Sequence, residues 1–149
     1  MTIWKNNFTL DDLQKRCENT LASHLGMVFT EIGDNFLVAE MPIQEFHLQP
    51  DRILHGGASA AFAETVGSVA ANCAVDQKVH NCVGLDLNIN HVRAIHAGKL
   101  IAKASPYHIG RSTHVWGIEV RDEGDKLVAV GRLTVAVLGL TDKMQKKTG

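Results

Sequence analysis

Residues 49–68 have the sequence Q-P-D-R-I-L-H-G-G-A-S-A-A-F-A-E-T-V-G-S, which combines a polar loop, a glycine pair and an apolar helix with one carboxylate. The helix is predicted over 57–75. At about 100° per residue, one side of it carries the large apolar residues Phe62, Val66, Val69 and Cys73. The other side carries Gly57, Ala60, Ala61, Glu64, Gly67, Ser68 and Ala71. Because a solvated face would carry long polar side chains, this small face is expected to meet a ligand or a partner subunit, to which it presents Glu64.

Length, composition and charge predict one intracellular globular domain over 1–149. The 149 residues are enough for a self-sufficient core, and the formal net charge of -1 gives no reason to expect affinity for nucleic acid or a membrane. The N-terminus does not resemble a signal peptide, and no apolar run reaches transmembrane length. The three cysteines (Cys17, Cys73 and Cys82) form no C-x-x-C pair, so we expect reduced thiols in the cytoplasm.

The predicted order of elements is α-β-β-α-β-β-β-β. A first helix is predicted over 9–24, with Thr9 as its N-cap. Strands are predicted over 27–32, 36–43, 82–93, 99–108, 113–122 and 126–138. The lysine-rich tail over 141–149 is expected to be frayed. Because an apolar helix face must be buried against another element, the predicted fold is α+β, with an antiparallel sheet of about six strands wrapped around the central helix.

Glu64 is predicted to be a functional carboxylate. An unpaired buried charge costs roughly several kcal/mol, and no lysine or arginine lies within one helical turn of it. Desolvation is expected to raise the pKa of Glu64 towards the range of a general base. Ser68 lies four residues further on and shares the face. It either hydrogen-bonds a substrate or an attacking water, or it is small only to allow close packing.

The residues before the central helix are expected to bind a carbonyl oxygen. The first amides of a helix have no internal acceptor, and the positive end of the helix dipole favours a developing oxyanion. The pair Gly56-Gly57 would let a carbonyl approach the backbone, although such a pair alone more often marks a turn. His55 and Gln49 can donate to that carbonyl, or each can be a structural residue.

A group of cationic side chains follows residue 90: His91, Arg93, His96, Lys99 and Arg111, with Ser112 as a further donor. They suit the phosphates of a tethered ligand, and equally they suit ordinary solvation of strand ends. The histidines and cysteines show no zinc-type spacing, and the chain contains no P-loop, G-x-G-x-x-G or G-x-S-x-G motif. No metal or redox cofactor is therefore implied.

The chain resembles the hot-dog-fold acyl-CoA thioesterases over nearly its whole length. The most specific segments are Q-P-x-x-x-L-H-G-G-A-S, A-E-T-V-G-S, V-G-L-D-L-N-I-N-H-V-R and V-W-G-I-E-V-R-D. It is most similar to the branch of the 4-hydroxybenzoyl-CoA and phenylacetate-pathway thioesterases. Within that branch it looks closest to the 1,4-dihydroxy-2-naphthoyl-CoA thioesterases of menaquinone synthesis and to their sister enzymes that act on acyl-carrier proteins.

This resemblance implies a role for each candidate residue. Glu64 would act as the nucleophile or as a general base on water, with Ser68 beside it. The Gly56 amide would polarise the thioester carbonyl, with Gln49 and His55 close by. The CoA nucleotide would be held at positions matching His91, Arg93, Arg111 and Ser112. The family also implies a homodimer, commonly paired into a tetramer, with each active site shared between subunits.

The predicted activity is therefore hydrolysis of an acyl or aroyl thioester, of CoA or of an acyl-carrier protein, to an acid and a thiol. Two alternatives remain. A hot-dog dehydratase or isomerase would use a histidine that faces an acid, and only His55 could serve. A non-catalytic acyl-CoA-binding protein would keep the cations but would not need Glu64. The acyl group and the carrier stay open.

Overall fold

The computed structural model describes residues 1–140, so the frayed tail predicted over 141–149 lies outside the described residues. The helices are α1 (Leu10–Cys17), α2 (Leu21–His24) and α3 (Gly56–Cys73), with a short 3₁₀ turn at Glu45–His47. The strands are β1 (Val28–Ile32), β2 (Leu37–Pro42), β3 (His80–His91), β4 (Lys99–Ile109), β5 (Thr113–Asp122) and β6 (Leu127–Gly139). Every predicted strand and the central helix are confirmed to within two residues at each end.

The six strands form one antiparallel sheet in the order β1-β2-β4-β5-β6-β3. This sheet wraps around α3, which contacts every strand from β2 to β6. Phe62 and Val66 of α3 are fully buried, as are Trp116, Ile118 and Leu133 of the sheet. One long helix inside a curved antiparallel sheet is the hot-dog fold, and the predicted fold is confirmed. Within 1–140, no helix is both long and apolar enough to span a membrane.

The prediction of a single first helix over 9–24 is wrong. Thr9 does cap α1, because its hydroxyl accepts from the Asp12 N–H and the Asp12 carboxylate accepts from the Thr9 N–H. The helix then stops at Cys17, since Glu18 takes an extended ψ of 136° and Asn19 takes a positive φ of 57°. Asparagine tolerates that left-handed region better than most residues, so the chain turns there before α2 begins.

The three cysteines are buried and free. Burial raises the pKa of the Cys73 thiol to about 12 and the pKa of the Cys82 thiol to about 11. Both thiols are therefore protonated at neutral pH and pack as small apolar groups. No disulfide joins any two of these three cysteines in the described chain, residues 1–140.

The small face predicted for α3 is only partly exposed. Gly67 and Ala71 are buried, because the wrapped sheet covers more of the helix circumference than one apolar stripe. A Cβ on Gly67 would lie 2.8 Å from Leu133 Cδ2 and 3.2 Å from Ile118 Cδ1. Gly67 is thus small because the sheet packs on it. Val69, which was predicted on the buried side, is only half-buried.

Replacing Gly67 with valine is expected to lower the free energy of unfolding by about 1–3 kcal/mol, because the new side chain has no room beside Leu133 and Ile118. Chemical denaturation measures the change. Ala60→Val is the matched control, since Ala60 is half-buried on the same helix. It should cost less than about 1 kcal/mol, the usual range of helix propensity. Equal losses in the two variants would contradict the packing explanation.

Candidate active site

The first turn of α3 leaves one backbone amide unused. His55 is the N-cap, and its Nδ1 accepts from the Gly57 N–H at 2.7 Å. The amides of Ala58 and Ser59 donate to the His55 carbonyl at 2.9 and 3.4 Å. The Gly56 N–H donates to no residue within 1–140, so it is free to bind an incoming oxygen. Because Nδ1 of His55 is an acceptor, the proton of its neutral ring lies on Nε2.

A cavity of about 330 Å³ lies beside this free amide. Its lining includes Gln49, Gly56, His91 and Arg93. The His91 ring lies against the Gly56 Cα, since a Cβ on Gly56 would be 2.9 Å from His91 Nε2. Glycine at this position therefore leaves space for the imidazole and exposes the amide. The structure thus brings four of the predicted site residues together in one chain.

Gln49 is held in a closed loop at the edge of this cavity. Leu48 and Leu54 pair across the base of the loop, and the Leu54 N–H donates to the Ile95 carbonyl at 2.7 Å. The Gln49 side-chain oxygen accepts from the Asp51 N–H at 2.6 Å. Its NH₂ group donates to no residue within 1–140 and is available to a ligand. This geometry suits the predicted role of Gln49 as a donor.

Glu64 lies on the exposed side of α3, against the edge strand β3. A Cβ on Gly84 would be 2.7 Å from Glu64 Oε1, so the carboxylate rests on the Gly84 Cα. Leu85 follows at a β-bulge in the pairing of β3 with β6 and is 64% exposed. Glu64 itself is exposed and forms no ion pair with another residue of 1–140. Glu64 is therefore not buried within one chain, contrary to the prediction.

Gly56 and Glu64 are too far apart to act together within one chain. They lie on the same helix, and eight residues correspond to about 12 Å along its axis. A Glu side chain recovers only part of that distance, whereas a reacting group must approach a carbonyl carbon to about 3–3.5 Å. The geometry therefore favours a site in which the Gly56 amide and the Glu64 carboxylate come from different copies of the chain.

The predicted cationic cluster is divided within one chain. The Arg93 N–H donates to the Val128 carbonyl near the start of β6, whereas the Val137 N–H near its end donates to the Ser112 carbonyl. At about 3.4 Å per residue, these positions on β6 are roughly 30 Å apart. Arg111 and Ser112 therefore do not adjoin His91 and Arg93 in a single chain, because the strand register separates them, and their predicted role in binding CoA stays a prediction.

Two of the cations also have acidic partners. Arg93 forms an ion pair with Asp122, and Lys99 forms one with Glu40 at 2.8 Å. Arg93 also lines the cavity beside Gly56. The ion pair with Glu40 favours the second interpretation of Lys99, in which it is an ordinary strand-end cation and does not bind a phosphate. Among residues 1–140, no three His, Cys, Asp or Glu side chains are grouped to hold a metal ion.

Two features of the site were missed by sequence reasoning. Gly84 lies in the interior of β3 and allows the Glu64 carboxylate to approach the strand, and an interior strand glycine is a recognised signal of close approach. His47 is buried in the loop before α3. Its Nδ1 accepts from the Gln44 N–H, and its carbonyl accepts from the His55 N–H. His47 therefore connects the loop that carries Gln49 to the N-cap of α3.

The fold is expected to lose stability in mild acid. Burial lowers the pKa of His47, and burial also lowers the pKa of His114 in β5. The unfolded chain therefore takes up protons below about pH 6.5 that the folded chain does not, so stability is complete above that pH and falls below it. The midpoint temperature of thermal unfolding should therefore decrease as the pH is lowered from about 7.5 to about 5.5.

Replacing His47 with asparagine should flatten part of this pH dependence, because the amide oxygen can still accept from Gln44 but does not titrate. His24→Asn is the control, since His24 is exposed. An unchanged slope in the His47 variant would contradict the assignment of the pH dependence to this buried ring.

Comparison with known proteins finds relatives that are named as esterases and thioesterases. A family model described as the thioesterase superfamily matches residues 52–129. A Vibrio cholerae protein named "Putative esterase" is 50% identical over 92% of this chain and 91% of its own length. The crystal structure of a Haemophilus influenzae thioesterase is 41% identical, covers 95% of this chain and 98% of its own, and superposes with a TM-score of 0.91. A mutant thioesterase from Pseudomonas aeruginosa is 37% identical over 93% of this chain and 100% of its own, with a TM-score of 0.91.

Proposed function

Because the chain belongs to the thioesterase superfamily, we propose that it hydrolyses an acyl or aroyl thioester of CoA to a free acid and a thiol. The observation that carries this proposal is the free Gly56 amide at the start of α3, beside a cavity with further donors. A developing oxyanion at this position gains a hydrogen bond and the positive end of the helix dipole. The carboxylate that the reaction needs would come from Glu64, which lies further along the same type of helix in a second copy of the chain.

The active site is shared between two chains in this proposal. β3 is an edge strand with exposed Val83 and Leu85, so its free edge can pair with β3 of a second copy. Such pairing would cover Glu64, which lies against Gly84 of that strand. It would also supply the burial that one chain lacks. We therefore propose a homodimer, or a tetramer built from two such dimers.

The proposed reaction begins with the thioester carbonyl oxygen bound by the Gly56 amide, with the Gln49 amide and His55 Nε2–H as further donors. Glu64 of the other chain then acts in one of two ways. Either its carboxylate attacks the carbonyl carbon, and the tetrahedral intermediate expels the thiolate to leave a mixed anhydride that water then hydrolyses, or it takes a proton from a water that attacks the carbon, and the tetrahedral intermediate expels the thiolate directly. In both cases the thiolate takes up a proton, and Ser68 lies one helical turn from the carboxylate to bind the water.

The cavity and its charges support a CoA thioester as the substrate. His91 and Arg93 line the cavity beside Gly56, and we propose that they bind the CoA nucleotide. Arg111 and Ser112 can join them only from another chain. A carrier-protein thioester would share the same thioester chemistry. More specifically, we propose an aroyl substrate of the 4-hydroxybenzoyl-CoA or menaquinone type. We also propose that the protein acts in the cytoplasm.

The test is a panel of acyl-CoA and acyl-carrier-protein thioesters, assayed for release of free thiol. The matching oxygen esters are the control for unspecific esterase activity. We expect thiol release from at least one thioester class. A dehydratase would instead convert 3-hydroxyacyl and enoyl thioesters without releasing thiol, although its candidate histidine, His55, is already bound to the Gly57 amide. Binding without any turnover would favour the non-catalytic alternative.

A further inference from the structure

A second cavity lies between α1 and α3, next to the proposed catalytic carboxylate. It has a volume of about 160 Å³ and is lined by Leu13, Arg16, Cys17, Ser68, Val69 and Asn72. Ser68 is one helical turn from Glu64, and Asn72 is one turn further along the same side of α3. An acyl chain that starts at a carbonyl beside Glu64 and runs towards the end of α3 therefore enters this cavity.

The cavity has apolar walls and limited size. Leu13, Cys17 and Val69 supply the apolar surface. Its volume is close to that of an apolar cavity of about 150 Å³ that binds one benzene molecule in another protein. The space therefore suits a single ring or a short chain. A long fatty acyl chain would extend beyond it.

Arg16 gives this cavity a positive charge. One guanidinium NH₂ donates to Gln77 Oε1 at 2.9 Å, and Gln77 Nε2 donates to the Asn72 carbonyl at 2.9 Å. Gln77 thus connects the guanidinium of the exposed Arg16 to α3. Gln77 lines a neighbouring cavity, whereas Arg16 lines both cavities. Within 1–140, Arg16 has no carboxylate partner, and most of its five N–H donors remain unused.

Asn72 is not available to a ligand in the same way. Its NH₂ group donates to the Ser68 and Cys82 carbonyls at 3.0 and 3.1 Å. Its side-chain oxygen accepts from the Cys82 N–H at 2.9 Å. Asn72 therefore joins α3 to β3. Arg16 is the charged group that can bind the distal end of an acyl group in this cavity.

We propose that the preferred acyl group is a short chain or a single ring with a carboxylate at its far end, which Arg16 binds. The planar guanidinium presents paired N–H donors that match a carboxylate, and the hydrogen bond to Gln77 lowers the cost of fixing its position. This proposal rests on the proposed thioesterase function. It makes Arg16 a specificity-determining residue and leaves the reaction centre unchanged.

The test compares matched pairs of CoA thioesters that differ only at the distal end: hexanoyl-CoA with adipoyl-CoA, and benzoyl-CoA with 4-carboxybenzoyl-CoA. The wild-type chain should have a higher kcat/KM for the carboxylated member of each pair. Arg16→Gln should reduce that preference about 10- to 100-fold, as expected for a lost charged hydrogen bond. Arg16→Lys, which keeps the charge but not the planar fork, should retain part of it.

Lys15→Gln is the matched control, because Lys15 is an exposed cation next to Arg16 on α1 and does not line the cavity. It should leave the ratio of the two kcat/KM values unchanged. A wild-type chain without preference, or an Arg16→Gln variant that slows both members equally, would overturn the inference while thioester hydrolysis stands. Failure to release thiol from every thioester tested would overturn the proposed function itself.

Discussion

Glu64→Gln is expected to lower kcat for thioester hydrolysis by about 10²- to 10⁴-fold, the usual contribution of a positioned acid or base. The amide keeps the size of the side chain and its contact with Gly84, but it neither attacks a carbonyl carbon nor takes a proton from water. The initial rate of thiol release, with saturating thioester, measures the loss. Binding of the thioester should persist, because Glu64 is not among the residues that line the cavity beside Gly56.

Glu31→Gln serves as the control for the loss of one negative charge. Glu31 is exposed on β1, at the edge of the sheet opposite β3. It should retain the wild-type rate, and both variants should unfold at the wild-type temperature. If the Glu64 variant keeps its rate within a few-fold, the carboxylate has no direct part in the reaction and the proposed mechanism fails.

The fold was predictable because its local signals agree with one another. Alternation over 82–93 indicated β3, and the cap at Thr9 indicated the start of α1. The turn at Glu18 and Asn19 was not predicted, because helical spacing continues through it, whereas the extended ψ of Glu18 and the positive φ of Asn19 end the helix. Gly67 shows a second limit. A small residue indicates close approach, but its sequence position cannot say whether a ligand or the sheet makes that approach.

The candidate site was predictable in its chemistry and not in its distances. The glycine pair and Glu64 were identified from their positions in one helix, yet that helix keeps Gly56 and Glu64 about 12 Å apart. Arg111 and Ser112 were grouped with His91 because all of them flank strand ends. Strand register, which depends on pairing between distant segments, places them at opposite ends of β6. Glu64 is likewise exposed in one chain, and in the proposed dimer its burial would depend on the second copy.

Gly56→Pro is expected to lower kcat by about 10²- to 10³-fold, the usual loss when one oxyanion donor is removed. Compared with alanine, proline loses the N–H and adds the ring carbons Cγ and Cδ, and it is favoured in the first turn of a helix. The preceding residue, His55, already has a φ of -66° and a ψ of 129°, which is the conformation that proline requires before it. Gly56→Ala is the matched control, because it introduces the same Cβ beside His91 but keeps the N–H. Equal losses in the two variants would assign the effect to His91 and not to the amide.

Combining the two inactive variants should restore activity if each site takes Gly56 from one chain and Glu64 from the other. In a dimer of one Gly56→Pro chain and one Glu64→Gln chain, one site receives both substitutions and the other receives neither. Such dimers, isolated through a different affinity tag on each chain, should recover about half of the wild-type rate, as two-fold symmetry requires. If one chain contained the whole site, every site in the mixed dimer would carry one substitution and the rate would stay at the level of the parents. The separation of about 12 Å along the helix axis between Gly56 and Glu64 favours recovery, because the Glu64 side chain recovers only part of that distance.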